Sequence, residues 1–334
     1  MKYRDLGTTG LTVSEVGFGV WTVSTGWWGK IEEAQGVDLL VKAFDHGVNL
    51  FDTGDTYGLG YGEEILAKAL KGQRHDIVIS TKFGYDFYTH QEREGHTERP
   101  QDFSPEFIRY ACEQSLRRLD TDYIDLYQLH NPRINTIEDD EVFHTLDELV
   151  DEGKIRHYGV ALGPDIGWFE EGEASMTERH APVLQIIYSI LEQDPARRFF
   201  PIAESEKTGL LTRVPHASGL LDGTYTRDTV FEASDHRSHR RQEWLEQGLK
   251  KLAHLDFLTQ DLSSTIGQIA IKFALTGHQV ASVLPNITNA AQLEEFASAP
   301  ETEEVPSEYV DRLWELFDED FFLEPEAAEP ATAG

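Results

Sequence analysis

Strand-length apolar runs alternate with segments of helical period about eight times along this chain of 334 residues, and that rhythm leaves few folds open to it. The apolar runs lie at 16–20, 48–52, 76–81, 123–129, 155–160, 183–188, 209–214 and 280–284. Between them apolar residues fall at helical spacing, as Val37, Leu40, Val41 and Phe44 do within 32–46, where Gly47 supplies a stop. Further helices are expected over 63–70, 104–119, 136–152, part of 165–179, 195–207, 263–276 and 289–299. No linker divides the chain, so one domain over 1–334 is expected. A (β/α)8 barrel of about 250 residues accounts for the repeat. The remainder fits an N-terminal hairpin within 1–15, long βα loops, an extra C-terminal helix over 306–316 and an acidic, flexible tail over 318–334. A doubly wound sheet is the alternative. Its support is Gly58-Leu59-Gly60-Tyr61-Gly62 opening a helix, but that stretch falls one strand too late and more simply allows a tight loop.

Charge narrows the range of partners. The formal net charge is −31 and the isoelectric point about 4.7, a balance that repels nucleic acid and anionic membrane. Acidic residues are spread along most of the chain, which suits a protein tuned to a salty interior where screening removes self-repulsion. Cys112 is the single cysteine, so no internal disulfide can form, and its helical neighbourhood makes it a small core residue. The N-terminus has no apolar signal region and no run is long enough to cross a bilayer, so a cytoplasmic protein is expected.

In a barrel, chemistry sits where strands end. Asp52, Lys82 and His130 end three consecutive strands, and Tyr57 lies in the loop after the first of them. Each has a plain reading by itself: a turn cap, a solvated lysine, a satisfied histidine, a packed ring. Together they can converge on one mouth, and their chemistry is coherent. A tyrosine has an ordinary pKa of about 10, and a lysine cation beside it stabilises the phenolate. Asp52 can hold Lys82 charged and oriented, and His130 can donate to an oxygen beside the tyrosine hydroxyl. The result is a proton donor next to a developing alkoxide, which suits carbonyl reduction or its reverse.

Three stretches resemble the signatures of the aldo-keto reductase family: Phe51-Asp52-Thr53-Gly54-Asp55-Thr56-Tyr57-Gly58, Ser80-Thr81-Lys82, and Asp125-Leu126-Tyr127-Gln128-Leu129-His130. The resemblance runs along nearly the whole chain. It is strongest to the branch that includes potassium-channel β subunits and bacterial and archaeal reductases. It implies a (β/α)8 barrel that binds NAD(H) or NADP(H) in an extended pose. It also implies a tetrad of Asp52, Tyr57, Lys82 and His130, with Tyr57 as general acid/base, and direct hydride transfer to or from an aldehyde, ketone or aldose. For the cofactor, the resemblance implies contacts from Trp21, Asp52, Gln185, Arg213, Ser218, Thr288, Gln292 and Glu295. Ala161-Leu162 departs from the usual Ser-Asn pair that grips the carboxamide, and Arg213 stands where an aromatic ring often stacks on the nicotinamide.

Trp21, Trp27, Trp28, Tyr85, Phe87 and Tyr88 lie in loops over the mouth and would wall an apolar carbonyl or the C–H face of a sugar. His236 and His239 stand among cations, so no metal is expected. Two other functions fit parts of the sequence. A cofactor-bound auxiliary subunit would keep the same tetrad with little turnover. A barrel isomerase or hydrolase would use Asp52 and Asp55 as a carboxylate pair. No cation stands at Thr288 or Asn289, Thr224 replaces the usual lysine and Asp222 is close by, so a modest preference at most is expected between the two cofactors, with NAD(H) a working one. Arg237, Arg240 or Arg241 could restore a phosphate contact, and high salt is expected to weigh further against NADP(H).

Overall fold

The computed structural model describes residues 1–92, 97–163, 168–231, 235–239 and 242–323. Two short strands, β1 (Tyr3–Asp5) and β2 (Thr12–Ser14), form an antiparallel hairpin. Eight parallel strands follow in chain order as one sheet. They are β3 (Phe18–Gly19), β4 (Leu50–Asp52), β5 (Val78–Phe83), β6 (Ile124–His130), β7 (Ile155–Ala161), β8 (Val183–Ile187), β9 (Gly209–Arg213) and β10 (Val280–Leu284). A parallel bridge between Val16 and Val283 joins the two ends, with Gly17 N donating to Val283 O and Val283 N to Glu15 O, each at 2.9 Å. The sheet is therefore a nearly closed (β/α)8 barrel with helices between its strands. β5 and β6 are buried at every residue, as strands covered on both faces must be, and their near-continuous apolar runs reflect it.

Helices pack around the outside and share one large apolar cluster with the outward faces of the strands. A second cluster fills the N-terminal end of the barrel. There Leu6 and Val13 of the hairpin meet Leu50, Val78, Leu126, Val183 and Leu211, so the hairpin plugs that end. Gly7 makes the fit possible: its φ is +54°, and a Cβ there would lie 2.4 Å from Gly209 N. With the lower end sealed, the strands' C-terminal ends are the open face.

Some element bounds differ from those expected. The helix placed over 136–152 is two, Ile134–Ile137 and Asp140–Asp151, because the Asp139 side chain accepts from Glu141 N and starts the second. The helix expected from Glu63 begins at Tyr61, after Gly60 at φ +99°. Of the helix expected within 165–179, Phe169–Thr177 is seen, and 164–167 lie outside the described residues. The connection after β9 carries two helices not anticipated, Gln242–Ala253 and Asp256–Asp261. The extra C-terminal helix spans Ser307–Asp318, and Phe321 just beyond it is buried. Of the tail expected over 318–334, residues 324–334 lie outside those described. Among the described residues, no helix is long and apolar enough to cross a membrane.

Candidate active site

The strand ends deliver three of the four expected groups to one place. Asp52 closes β4, Lys82 lies one residue before the end of β5 and His130 closes β6. Tyr57 comes over them from the loop after β4, where its N–H donates to Gly54 O at 3.0 Å. Lys82 Nζ pairs with Asp52 Oδ1 and donates to Thr53 O at 2.7 Å, both within the barrel. That ammonium lies 5.2 Å from the centre of the Tyr57 ring. The His130 ring meets the Tyr57 ring edge-on at 5.7 Å, and Tyr85 meets His130 at 4.9 Å. Trp21 stands against the other side of Tyr57, ring centres 4.9 Å apart, with Trp27 behind it at 5.1 Å.

Asp52 is buried and accepts hydrogen bonds at both carboxylate oxygens. Its Oδ2 accepts from Ser80 Oγ at 2.8 Å, Gln185 Nε2 at 2.9 Å and Gln128 Nε2 at 3.3 Å, while Oδ1 takes Lys82. Burial pushes the Tyr57 hydroxyl above the ordinary value, and Lys82 and Arg213 pull it back only in part. The lysine therefore does not produce a net downward shift, because loss of water outweighs it, and the phenol keeps its proton at neutral pH. Burial, then Lys82 and Arg213, hold His130 well below its usual value, so the imidazole is neutral and offers one N–H. The arrangement can hold a proton on Tyr57 and present a neutral donor beside it.

The groups assigned to a cofactor fall into two sets. Arg213 ends β9 beside Tyr57, with Nη2 donating to Leu162 O at 2.9 Å, next to the Ala161-Leu162 departure. Gln185 and Trp21 join Asp52 and Tyr57, as above, so they share the tetrad's mouth. The second set surrounds a cavity of about 370 Å³ between the turn after β9 and the helix Ala290–Ser298. Thr288 and Gln292 line it, with Thr288 Oγ1 donating to Gln292 Oε1 at 2.8 Å. Ser218 adjoins Gly219 on the same wall, within a turn where Val214, Ala217, Ser218 and Gly219 all have positive φ. A β-branched residue at φ +61° is costly, and such strain gathers at ligand clamps. Glu295 accepts from Thr265 Oγ1 and is not on that wall. Hydroxyls, amides, glycine backbone and the aromatic Trp28 and Tyr225 make a wall that fits the adenosine half of a dinucleotide.

Other expected residues take different places. Trp28 lies under Arg237, whose guanidinium carbon is 4.4 Å from its ring. Phe87 is buried, and Tyr88 packs on Phe107 and Tyr110 of the helix Pro105–Arg118, away from the tetrad. Asp55 is fully buried near Glu63 and Arg118, and burial pushes its carboxyl well up, so it makes no ionised pair with Asp52. Sequence reasoning missed Ser80 and Gln128 as holders of Asp52. Their signal was a polar residue inside an otherwise apolar strand. It also missed Asp235 as the partner of Arg237, an i and i+2 pair that no helix or strand pattern marks. Arg240, Arg241 and the side chains of His236 and His239 lie outside what is described. Among the described residues no group of three or more His, Cys, Asp or Glu could hold a metal ion.

The model of the "Aldo/keto reductase family" matches residues 15–317. An "Uncharacterized oxidoreductase" of Bacillus subtilis (strain 168) is 31% identical over 320 residues, covering 94% of this chain and 95% of its own. An "NADH-specific methylglyoxal reductase" of Escherichia coli (strain K12) is 30% identical over 310 residues, covering 90% and 93%. Among solved structures, a glycerol dehydrogenase from Gluconobacter oxydans superposes with a TM-score of 0.81 at 26% identity, over 98% of both chains.

Proposed function

This chain belongs to the aldo/keto reductase family, it is an oxidoreductase that uses a nicotinamide dinucleotide, and on that premise we propose that Tyr57, Asp52, Lys82 and His130 carry its carbonyl–alcohol chemistry. The bound dinucleotide supplies or accepts the hydride. Tyr57 gives the carbonyl oxygen its proton in reduction and takes it back in oxidation. Lys82, held by Asp52, stabilises the phenolate left behind. His130, neutral, donates to the same oxygen and orients it. Trp21, Gln185 and Arg213 bound the nicotinamide end, Ser218 the pyrophosphate, and Thr288 and Gln292 the adenosine end. Glu295, which accepts from Thr265 Oγ1, completes the adenosine end.

The observation that carries this reading is Lys82, fixed by Asp52 and Thr53 O, 5.2 Å from the Tyr57 ring. The test is Tyr57→Phe. Turnover should fall about a hundredfold or more, as expected for a lost general acid, with cofactor affinity nearly intact. Near-full turnover of an aldehyde by that variant would sink the mechanism. The substrate is a small molecule, and Trp21, Trp27 and Tyr85 favour one with an apolar or C–H face. Small hydroxylated or dicarbonyl compounds, like those named for the E. coli and Gluconobacter relatives, belong first in a substrate panel. We place the enzyme in the cytoplasm, as one barrel domain over 1–334, with its acidic surface an adaptation to salt.

A further inference from the structure

The cavity beside the helix Ala290–Ser298 has a charge pattern that nicotinamide chemistry does not explain. Two described side chains on its wall can be positive. His216 is buried and packed at a tilt against Phe296, and burial keeps it neutral. Arg237 is already matched: Nε donates to Asp235 Oδ1 at 2.8 Å, Nη2 to Asp235 Oδ2 at 2.5 Å, and Nη1 to Tyr225 OH. A bidentate carboxylate on one edge leaves little of that guanidinium for a second anion.

The helix start offers no substitute. Thr288 N donates to Gln292 Oε1 and Gln292 N to Asn289 Oδ1, each at 3.0 Å, so these amides serve the helix's own cap. Asp222 adds a second carboxylate. Its Oδ1 accepts from Thr224 N at 3.0 Å and Thr224 Oγ1 at 2.6 Å, and among the described residues no ion pair neutralises it. Its Oδ2 lies 3.3 Å from where a Cβ on Gly219 would stand, so it faces another residue of the same wall.

We propose that this chain selects NAD(H) over NADP(H), and that Asp222 makes the selection. The proposal rests on the nicotinamide-dependent reading above. A carboxylate accepts from a ribose 2′-hydroxyl, whereas a 2′-phosphate would bring roughly two negative charges to the same wall. The effect of salt then reverses from that expected of a phosphate clamp. Where the contact is repulsive, screening helps the more charged ligand, so added salt narrows the preference.

The test needs no substrate. The protein is titrated with NADH and with NADPH, and binding is read from tryptophan quenching, to which Trp28 on the wall contributes, and from dihydronicotinamide emission. NADH should bind at least about tenfold tighter in dilute buffer, roughly 1.4 kcal/mol. Asp222→Asn should raise the NADPH-to-NADH affinity ratio about tenfold, the effect of one like charge near a phosphate. Thr288→Arg should move the ratio the same way with Asp222 intact, so the proposal stays testable if the first variant folds poorly. Potassium chloride should narrow the gap in wild type and narrow it less in Asp222→Asn. Wild type that binds NADPH as tightly as NADH overturns the selection, and an unchanged ratio in Asp222→Asn overturns the role of Asp222. If neither nucleotide binds, the nicotinamide reading falls with it.

Discussion

His216 carries a cost that appears only in acid. Its buried ring packs at a tilt against Phe296 with ring centres 4.3 Å apart, Nε2 is 3.0 Å from Gly267 O, and burial holds its pKa down to about 4. Above about pH 6.5 the ring is neutral in both folded and unfolded chains and contributes nothing to pH dependence. Below that value the unfolded chain takes up a proton that the folded chain refuses, so stability falls until about pH 4. By pH 5 this loss should be roughly 2 kcal/mol. Urea unfolding of wild type and His216→Gln at pH 7.5 and pH 5 should differ by that amount in how much each loses, and equal losses would place the acid sensitivity elsewhere. The proposed tetrad was legible at this scale because Asp52, Lys82 and His130 stand out as polar side chains at or next to strand ends, with Tyr57 in the loop that follows the first. Gln128 and Ser80 were not, since their role lies in what they donate to rather than in where they stand.

The elements were legible where local signals agreed with packing. Thr265 opens the helix Ile266–Ala274 with a reciprocal capping box to Gln268, a pattern readable from sequence, and it also donates to Glu295 across to the next helix. Thr265→Ala should cost about 1 kcal/mol or somewhat more, because both links go, measurable as a lowered urea midpoint with an unchanged slope. A shift below about 0.3 kcal/mol would mean that water replaces the hydroxyl in full. The helix Gln242–Ala253 was missed for an instructive reason. Gly248 in its middle looks like a breaker, yet a Cβ there would lie 2.6 Å from the Leu220 side chain. Glycine is kept so that the helix can lie close against the turn after β9, and close approach leaves no periodic trace in a sequence. The division at Asp139 was hidden similarly, since an apolar period continues across a cap.

Across the whole molecule the barrel was legible because a rhythm of eight strands has few solutions, while its plugged lower end depends on contacts far apart in the chain. Charge is the other global property. Acidic residues number 60 against 29 lysines and arginines, and many of those cations are already spent in ion pairs such as Arg109 with Glu148 and Glu152. Repulsion among the remaining carboxylates should weaken as salt is added, so the melting temperature should climb from dilute buffer to molar potassium chloride. A flat curve would point instead to an acidic surface kept for a partner. The joint between Val16 and Val283 bears on how such a molecule is made. A ribosome delivers Val16 more than two hundred residues before Val283, so the ring stays unclasped until the last strand emerges. During that interval β3 is an unpaired edge, and at two residues it is too short to template pairing with another nascent chain.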